Sequence, residues 1–143
     1  MADTVGVVVC SRLKSARLPE KALSDINGKP ALEILLNNVR ACGYKTVLAI
    51  PTSPDDEPLA ALAERLGIEI WRGQDDSPLH RTAAAAKYFK FDHVVRVTHD
   101  DILADPYLMR KQVGWHLSQD ADYTFISKCP RGCDQEVFRT ESL

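Results

Sequence analysis

Short apolar runs alternate along the chain with stretches in which apolar residues recur every three or four positions. The runs are rich in β-branched residues and are bounded by polar residues, glycine or proline, a pattern that predicts strands. The predicted strands cover residues 5–10, 46–50, 68–71, 93–98, 121–127 and 136–139. The longer periodic stretches predict helices at residues 30–41, 57–66, 79–89 and 106–117.

This order of elements predicts a single α/β domain over residues 1–143. Repeated strand–helix–strand units favour right-handed crossovers, and therefore a Rossmann-like three-layer sandwich with a mostly parallel sheet and helices on both faces. The helix at residues 79–89 is rich in alanine, and we expect its small side chains to let it lie close to the sheet.

The overall composition excludes several classes of protein. The chain is 45% hydrophobic and its formal net charge is −2, which does not favour general nucleic-acid binding. No apolar stretch is long enough to span a membrane, and the N-terminus lacks a secretory pattern. Four cysteines are too few for a disulfide framework, so we expect a reduced, cytoplasmic setting. Cys129 and Cys133 could be half of a zinc site, but no second ligand pair has suitable spacing, and two ordinary thiols are the favoured interpretation.

Positive charge is concentrated immediately after the first predicted strand, at Arg12, Lys14, Arg17 and Lys21. Ligands of open α/β sheets bind at the carboxyl ends of strands, and both arginine and lysine bind phosphate oxygens. The loop therefore predicts a site for a phosphate chain. It matches neither the glycine-rich dinucleotide pattern nor the Walker phosphate loop.

Seven ordered motifs carry a resemblance to a known family. They lie at residues 11–21, 25–33, 54–59, 72–76, 79–81, 95–100 and 130–138. In this order they resemble the cytidylyltransferases that activate acidic sugars, including the acylneuraminate and 3-deoxy-manno-octulosonate enzymes, and most of all the spore coat polysaccharide biosynthesis F type. The resemblance covers essentially the whole chain and implies a fold of the nucleotide-diphospho-sugar transferase type.

The resemblance implies that a sugar attacks the α-phosphorus of CTP, that pyrophosphate leaves, and that a CMP-sugar forms for cell-surface polysaccharide synthesis. Such chemistry depends on positioning and charge neutralisation by cations and Mg²⁺. By resemblance, Arg12 and Lys21 hold the triphosphate and the developing charge as catalytic residues, and Ser11 and Arg17 support nucleotide binding. The alternative for Arg17 and Lys21 is surface ion pairing with Glu20 or Asp25.

The resemblance also assigns a metal ligand. Asp100 matches the aspartate that binds Mg²⁺ in family members, and a carboxylate with phosphate oxygens is a normal Mg²⁺ shell. The neighbouring Asp101 is expected to be structural. The alternative for both residues is capping of the helix that follows.

Two further groups are assigned to the substrates. Asp76, Ser77 and Arg81, with Asp75 beside them, match the region that contacts base or ribose, although Asp76 or Ser77 could equally cap the alanine-rich helix. The acceptor sugar would be bound by three residues of the loop and strand near the C-terminus: Arg131, Asp134 and Glu136. Arg131 could equally be an ordinary surface residue in a turn.

Some positions depart from the family pattern. Lys14 and Glu20 replace glycines of the phosphate loop, where glycine would allow a positive φ or a close backbone approach. His99 replaces the glycine before the metal-binding aspartate, and Cys10 replaces a common glutamine. These departures keep a second hypothesis open, a degenerate and non-catalytic scaffold or regulatory module. A sugar-nucleotide-dependent glycosyltransferase is a third hypothesis, disfavoured by the cationic loop.

The family pattern continues beyond the motifs present here. We therefore expect the chain to be the N-terminal part of a longer pattern, and by resemblance its partners are CTP, an acidic sugar and a second copy in a homodimer.

Overall fold

A six-stranded sheet forms the centre of the protein. The computed structural model describes residues 2–14, 17–73 and 77–143. The strands are β1 (Val5–Cys10), β2 (Asp25–Ile26), β3 (Lys29–Pro30), β4 (Lys45–Pro51), β5 (Glu69–Gly73), β6 (His93–Thr98), β7 (Tyr123–Phe125) and β8 (Glu136–Arg139). The α-helices are α1 (Ala31–Arg40), α2 (Glu57–Leu66), α3 (Pro78–Tyr88) and α4 (Pro106–Ser118), and short 3₁₀ turns lie at Lys21–Leu23, Pro54–Asp56 and Thr140–Ser142.

The strand order of the main sheet is β5-β4-β1-β6-β8-β7. The first four strands in this order are mutually parallel, whereas β8 is antiparallel to both β6 and β7. The prediction of a mostly parallel sheet is confirmed. The antiparallel β8 arises because no helix connects β7 to it, so the chain returns along the sheet instead of crossing over.

Two separate cores give the sandwich its layers. Helices α1, α2 and α4 bury their apolar faces against one side of the sheet, where Val7 and Val9 of β1 point. Helix α3 covers the other side with Ala85 and Ala86, which pack with Val8 of β1. The predicted three-layer sandwich is confirmed, since successive residues of a strand face opposite sides of a sheet.

The alanine-rich helix is followed by Phe91, which lies against β1. A Cβ atom built on Gly6 of β1 would stand 2.2 Å from the Phe91 ring. Gly6 therefore has no side chain because the aromatic ring occupies that space, and this contact lets the segment after α3 close over β1.

The structure differs from the predicted elements in two places. The strand predicted at residues 121–127 is limited to β7, and the strand predicted at 68–71 is displaced to β5. The small hairpin of β2 and β3 was not predicted, although Asn27 and Gly28 carry its signal: their φ angles are 52° and 82°, as a two-residue hairpin turn requires. Among the described residues, no helix combines the length and apolar character that a bilayer crossing would need.

Candidate active site

A large cavity lies at the carboxyl ends of β1 and β6. From β1 the chain moves outward through β4 to β5, and it then returns to place β6 on the other side of β1. The loops after these two neighbouring strands therefore diverge and leave a crevice, the usual ligand position in open α/β sheets. The cavity has a volume of about 820 Å³, within the usual size range of small-molecule sites.

Three segments contribute side chains to this cavity. The phosphate loop, the turn after β6 and the loop before β8 supply Arg12, Arg17, Leu18, Lys21, Thr98, His99, Asp100, Asp101, Arg131, Gly132 and Asp134. The structure thus brings together six of the residues singled out in the sequence: Arg12, Arg17, Lys21, Asp100, Arg131 and Asp134. Four of these six are cations, so an anion such as a phosphate chain would find several partners here.

Lys21 and Asp100 contact each other across the cavity. The Lys21 Nζ atom lies 2.8 Å from Asp100 Oδ1, and the His99 Nε2 atom lies 2.9 Å from the same oxygen. The expected alternative for Lys21, an ion pair with Glu20 or Asp25, is therefore replaced by a pair that links the two loops. This contact joins the residue expected to bind phosphate to the residue expected to bind metal.

The pKa values of Asp100 and His99 are both lowered in this environment. Partial burial raises the pKa of Asp100, but the hydrogen bond from Lys21 and the positive charges nearby outweigh it, and the pKa lies below its ordinary value. Burial lowers the pKa of His99, and the Asp100 charge offsets this only in part. Near neutral pH the site therefore presents an ionised carboxylate and a neutral imidazole.

Asp101 shapes the turn that carries Asp100. Its Oδ2 atom accepts hydrogen bonds from the backbone N–H of Thr98, at 2.9 Å, and from the Thr98 hydroxyl, at 3.1 Å. Burial raises the pKa of Asp101, and these hydrogen bonds act in the opposite direction. Helix capping was the alternative for this acidic pair, but α4 is capped by Asp105, whose Oδ1 accepts from the N–H groups of Tyr107 and Leu108.

Asp56 anchors the phosphate loop and was missed in the sequence. Its carboxylate is only 3% exposed and accepts a hydrogen bond from the Leu13 N–H at 2.7 Å. The Glu20 N–H donates to the Leu13 carbonyl oxygen at 3.1 Å, which closes the base of the loop. Asp55 and Asp56 look alike in the sequence, and only the fold shows which of them turns inward.

The nucleotide-contacting candidates are divided between a smaller cavity and a helix cap. Ser11 and Arg81 are buried and line a cavity of about 190 Å³ that adjoins the large one through Arg12, His99 and Asp100. The Arg81 Nη1 atom lies 3.5 Å from the Ser11 carbonyl oxygen.

Ser77 caps α3, because its side chain accepts from the His80 N–H. Residues 74–76 lie outside the described residues, and with them the predicted contacts of Asp75 and Asp76.

Glu136 does not line the large cavity, unlike the other two acceptor-sugar candidates. It lines a neighbouring cavity of about 350 Å³, where it forms an ion pair with Arg96 and accepts a hydrogen bond from the Tyr123 hydroxyl at 2.7 Å. Burial and the contact with Glu136 raise the pKa of Tyr123 to about 12. Asp134 borders both cavities, whereas Arg131 borders the large one.

Comparison with known proteins agrees with this fold. A family model described as cytidylyltransferase matches residues 6–143, and the chain therefore belongs to the cytidylyltransferase family. The resemblance stated from the motifs is confirmed.

A curated relative and two solved structures are similar to the chain. The relative, spore coat polysaccharide biosynthesis protein SpsF of Bacillus subtilis, is 28% identical over 142 residues, which are 95% of this chain and 59% of the relative. A cytidylyltransferase structure from Leptospira borgpetersenii has a TM-score of 0.91 at 23% identity, covering 98% of this chain and 62% of that one.

The structure of CMP-2-keto-3-deoxy-manno-octonic acid synthetase complexed with CTP has a TM-score of 0.75 at 14% identity and covers 98% of this chain and 76% of that one. At these identities the two structures show a shared fold. The chain spans just under three fifths of the length of SpsF.

Proposed function

We propose that the chain carries the nucleotide-activating site of a CMP-sugar synthetase, which transfers CMP from CTP to an acidic sugar and releases pyrophosphate in polysaccharide synthesis. The observation that carries the proposal is the gathering of Arg12, Arg17 and Lys21 around Asp100 in one large cavity at the strand ends. The family membership and the CTP-complexed structural neighbour support the same nucleotide.

The cations supply most of the chemistry. Arg12, Arg17 and Lys21 neutralise the triphosphate and the charge that develops as pyrophosphate leaves. Arg131, which also lines the cavity, suits the carboxylate of an acidic sugar, because a guanidinium can bind a carboxylate with two parallel hydrogen bonds. Ser11 and Arg81, in the adjoining small cavity, are our candidates for contacts with the nucleoside.

Asp100 fits a divalent metal. Its side chain is 47% exposed and its carboxylate is ionised at the cavity wall. Mg²⁺ is normally bound through one or two carboxylates together with substrate phosphates. We propose that Asp100 holds Mg²⁺ against the phosphates, where the ion would neutralise charge on the leaving group. Lys21 would then exchange its contact with Asp100 for a phosphate oxygen.

Calorimetry with CTP and Mg²⁺ tests the proposal, with Lys21→Ala as the variant and Lys29→Ala, at an exposed position in β3, as the control. Losing a charge-assisted contact costs about 1.5–3 kcal/mol, so Lys21→Ala should weaken CTP binding about 10- to 100-fold and cytidine binding hardly at all. Lys29→Ala should match the parent for both ligands. Absence of CTP binding at millimolar nucleotide would exclude the proposal.

A non-catalytic module is the second candidate, favoured by the ion pair that engages Lys21 with Asp100. Pyrophosphate release distinguishes the two functions. CTP-dependent release with an acylneuraminate or 3-deoxy-manno-octulosonate acceptor would exclude the non-catalytic module, whereas CTP binding without release with either sugar would favour it.

A homodimer also belongs to the proposal. Tyr123 and Phe125 stack on each other at the edge strand β7, and the side chain of Phe125 is 60% exposed. Exposed aromatic residues are common at protein interfaces. Light scattering should give twice the mass of the chain, and a reduced dimer fraction is expected for Phe125→Ser.

A further inference from the structure

His99 is a cavity-lining side chain to which the chemistry described above assigns no role. Its ring is 19% exposed and borders both the large cavity and the smaller one beside it. The His99 Nε2 atom, 2.9 Å from Asp100 Oδ1, faces the carboxylate that we propose as the metal ligand. The family resemblance has glycine at this position, so the imidazole departs from that pattern.

The sheet and a tight turn fix the backbone that carries His99. Its N–H donates to the Cys10 carbonyl oxygen at 3.1 Å, which extends the pairing of β1 with β6 by one residue. The Asp101 N–H donates to the Thr98 carbonyl oxygen at 3.0 Å, so that His99 and Asp100 are the two central residues of a β-turn. The side chain of Asp101 also accepts hydrogen bonds from the N–H and the hydroxyl of Thr98.

The distance between the two side-chain atoms suits a shared metal ion. Adjacent ligands of a six-coordinate ion, each roughly 2.1 Å from it, are about 3 Å apart. The 2.9 Å separation of His99 Nε2 and Asp100 Oδ1 is compatible with that spacing and is also the length of an ordinary hydrogen bond, which the ion would replace. In the described part of the chain, no group of three or more such side chains surrounds a metal position, and phosphate oxygens and water would complete the shell.

We propose that His99 and Asp100 together bind the divalent ion, and that the imidazole gives the site a preference for a first-row transition metal over Mg²⁺. Mg²⁺ takes oxygen ligands almost exclusively, whereas imidazole nitrogen favours the later first-row ions. The proposal rests on the proposed function, since the nucleotide supplies the remaining ligands. Its alternative is that His99 only orients Asp100 through a hydrogen bond.

Preformed CTP complexes of Co²⁺ and of Mg²⁺, titrated calorimetrically, test this preference. The parent should bind the Co²⁺ complex at least tenfold more tightly than the Mg²⁺ complex. His99→Asn, which keeps a hydrogen-bond donor beside Asp100, should remove that preference by weakening the Co²⁺ complex while the Mg²⁺ complex changes less than twofold. His80→Asn, at an exposed position in α3, controls for adventitious Co²⁺ binding and should match the parent.

The absorption spectrum of Co²⁺ gives a readout that a purely structural role would not alter. Nitrogen coordination should change the visible Co²⁺ bands in the parent and in His80→Asn but not in His99→Asn, and circular dichroism should show that all three chains are folded. Equal weakening of both metal complexes in His99→Asn, or no loss at all, would overturn the proposal.

Failure of this inference and failure of the proposed function give different results. Binding of the Mg²⁺ complex by a parent with no Co²⁺ preference would overturn the metal preference alone. Binding of neither complex, together with no His99-dependent binding of Co²⁺ alone, would overturn both. Co²⁺ binding that requires His99 in the absence of any CTP binding would support the ligand pair and overturn the nucleotide site.

Discussion

Glu20 has a backbone conformation that its own side chain disfavours. Its φ is 55° and its ψ is 21°, in the left-handed region, which costs a residue with a Cβ atom about 1–2 kcal/mol. The family resemblance has glycine here, and glycine adopts this conformation without that cost. Lys14, the other position where glycine is expected, is not among the described residues with positive φ. Of the two departures from glycine, Glu20 therefore carries backbone strain and Lys14 does not.

Glu20→Gly should stabilise the chain. Relief of the left-handed strain exceeds the backbone entropy cost of glycine, roughly 0.5–1 kcal/mol, so we expect a net gain of about 0.5 kcal/mol in the free energy of unfolding, measured by urea denaturation. Lys14→Gly is the matched control and should lose stability, because it bears the entropy cost with no strain to relieve. A destabilised Glu20→Gly would show that the Glu20 side chain makes a favourable contribution that outweighs the strain.

The phosphate loop takes its position from the short turn between β4 and α2. Asp56 lies in the short turn before α2, and its buried carboxylate holds the Leu13 N–H. Leu13 is itself buried in the core beneath the sheet. The Asp56 hydrogen bond and the buried Leu13 side chain therefore hold the loop against the layer that contains α2, while Arg12 is exposed.

Asp56→Ala should cost about 1–3 kcal/mol of stability, because the buried Leu13 N–H would lose its partner. The loosened loop should also bind CTP more weakly, with a smaller effect on cytidine. Asp55→Ala removes the neighbouring exposed carboxylate and should change stability by less than about 0.5 kcal/mol. Similar losses for the two variants in urea denaturation would show that Asp56 does not anchor the loop.

On the scale of the whole molecule, two buried histidines connect the sheet to α4. The His93 Nδ1 atom lies 2.9 Å from His116 Nε2, and His116 Nδ1 lies 2.8 Å from the Thr124 hydroxyl. Asp3 is the nearest opposite charge, 3.5 Å from His93 Nε2. Burial, the nearby His93 and Arg139 lower the pKa of His116, and Asp122 acts in the opposite direction.

The molecule should lose stability in mild acid. A histidine whose pKa is lower in the folded state binds its proton more readily when unfolded, so stability is complete above the ordinary pKa of about 6.5 and falls as the pH drops below it. His116 and His99 both act in this direction, each by at most about 1.4 kcal/mol per pH unit.

Urea denaturation at pH 7.5, 6.5 and 5.5 checks this dependence. His116→Gln should reduce the slope of stability against pH, whereas His80→Gln, at an exposed position, should leave it unchanged. An unaltered slope in His116→Gln would assign the acid sensitivity to other groups.

Elements specified by interactions between residues close in sequence were predicted correctly, whereas features that depend on tertiary contacts were not. The strand at residues 5–10 and the helix at 57–66 were predicted with the bounds observed, because local periodicity and caps specify them. The shortened β7 was not, because its length depends on pairing with β8. Arg12 and Lys21 were singled out from their charge and motif, and both line the large cavity. Asp56 was missed because burial of one of two adjacent aspartates is a tertiary property.

The sequence by itself determined the α/β class, the family and the concentration of cations after the first strand, since composition, periodicity and motif order are local properties of the chain. Only the tertiary structure decided that Lys21 contacts Asp100, that His99 shares the same carboxylate oxygen, and that Glu136 lies in a separate cavity. Lys21 and Asp100 are far apart in the chain, and the order of strands in the sheet brings the loops that carry them together.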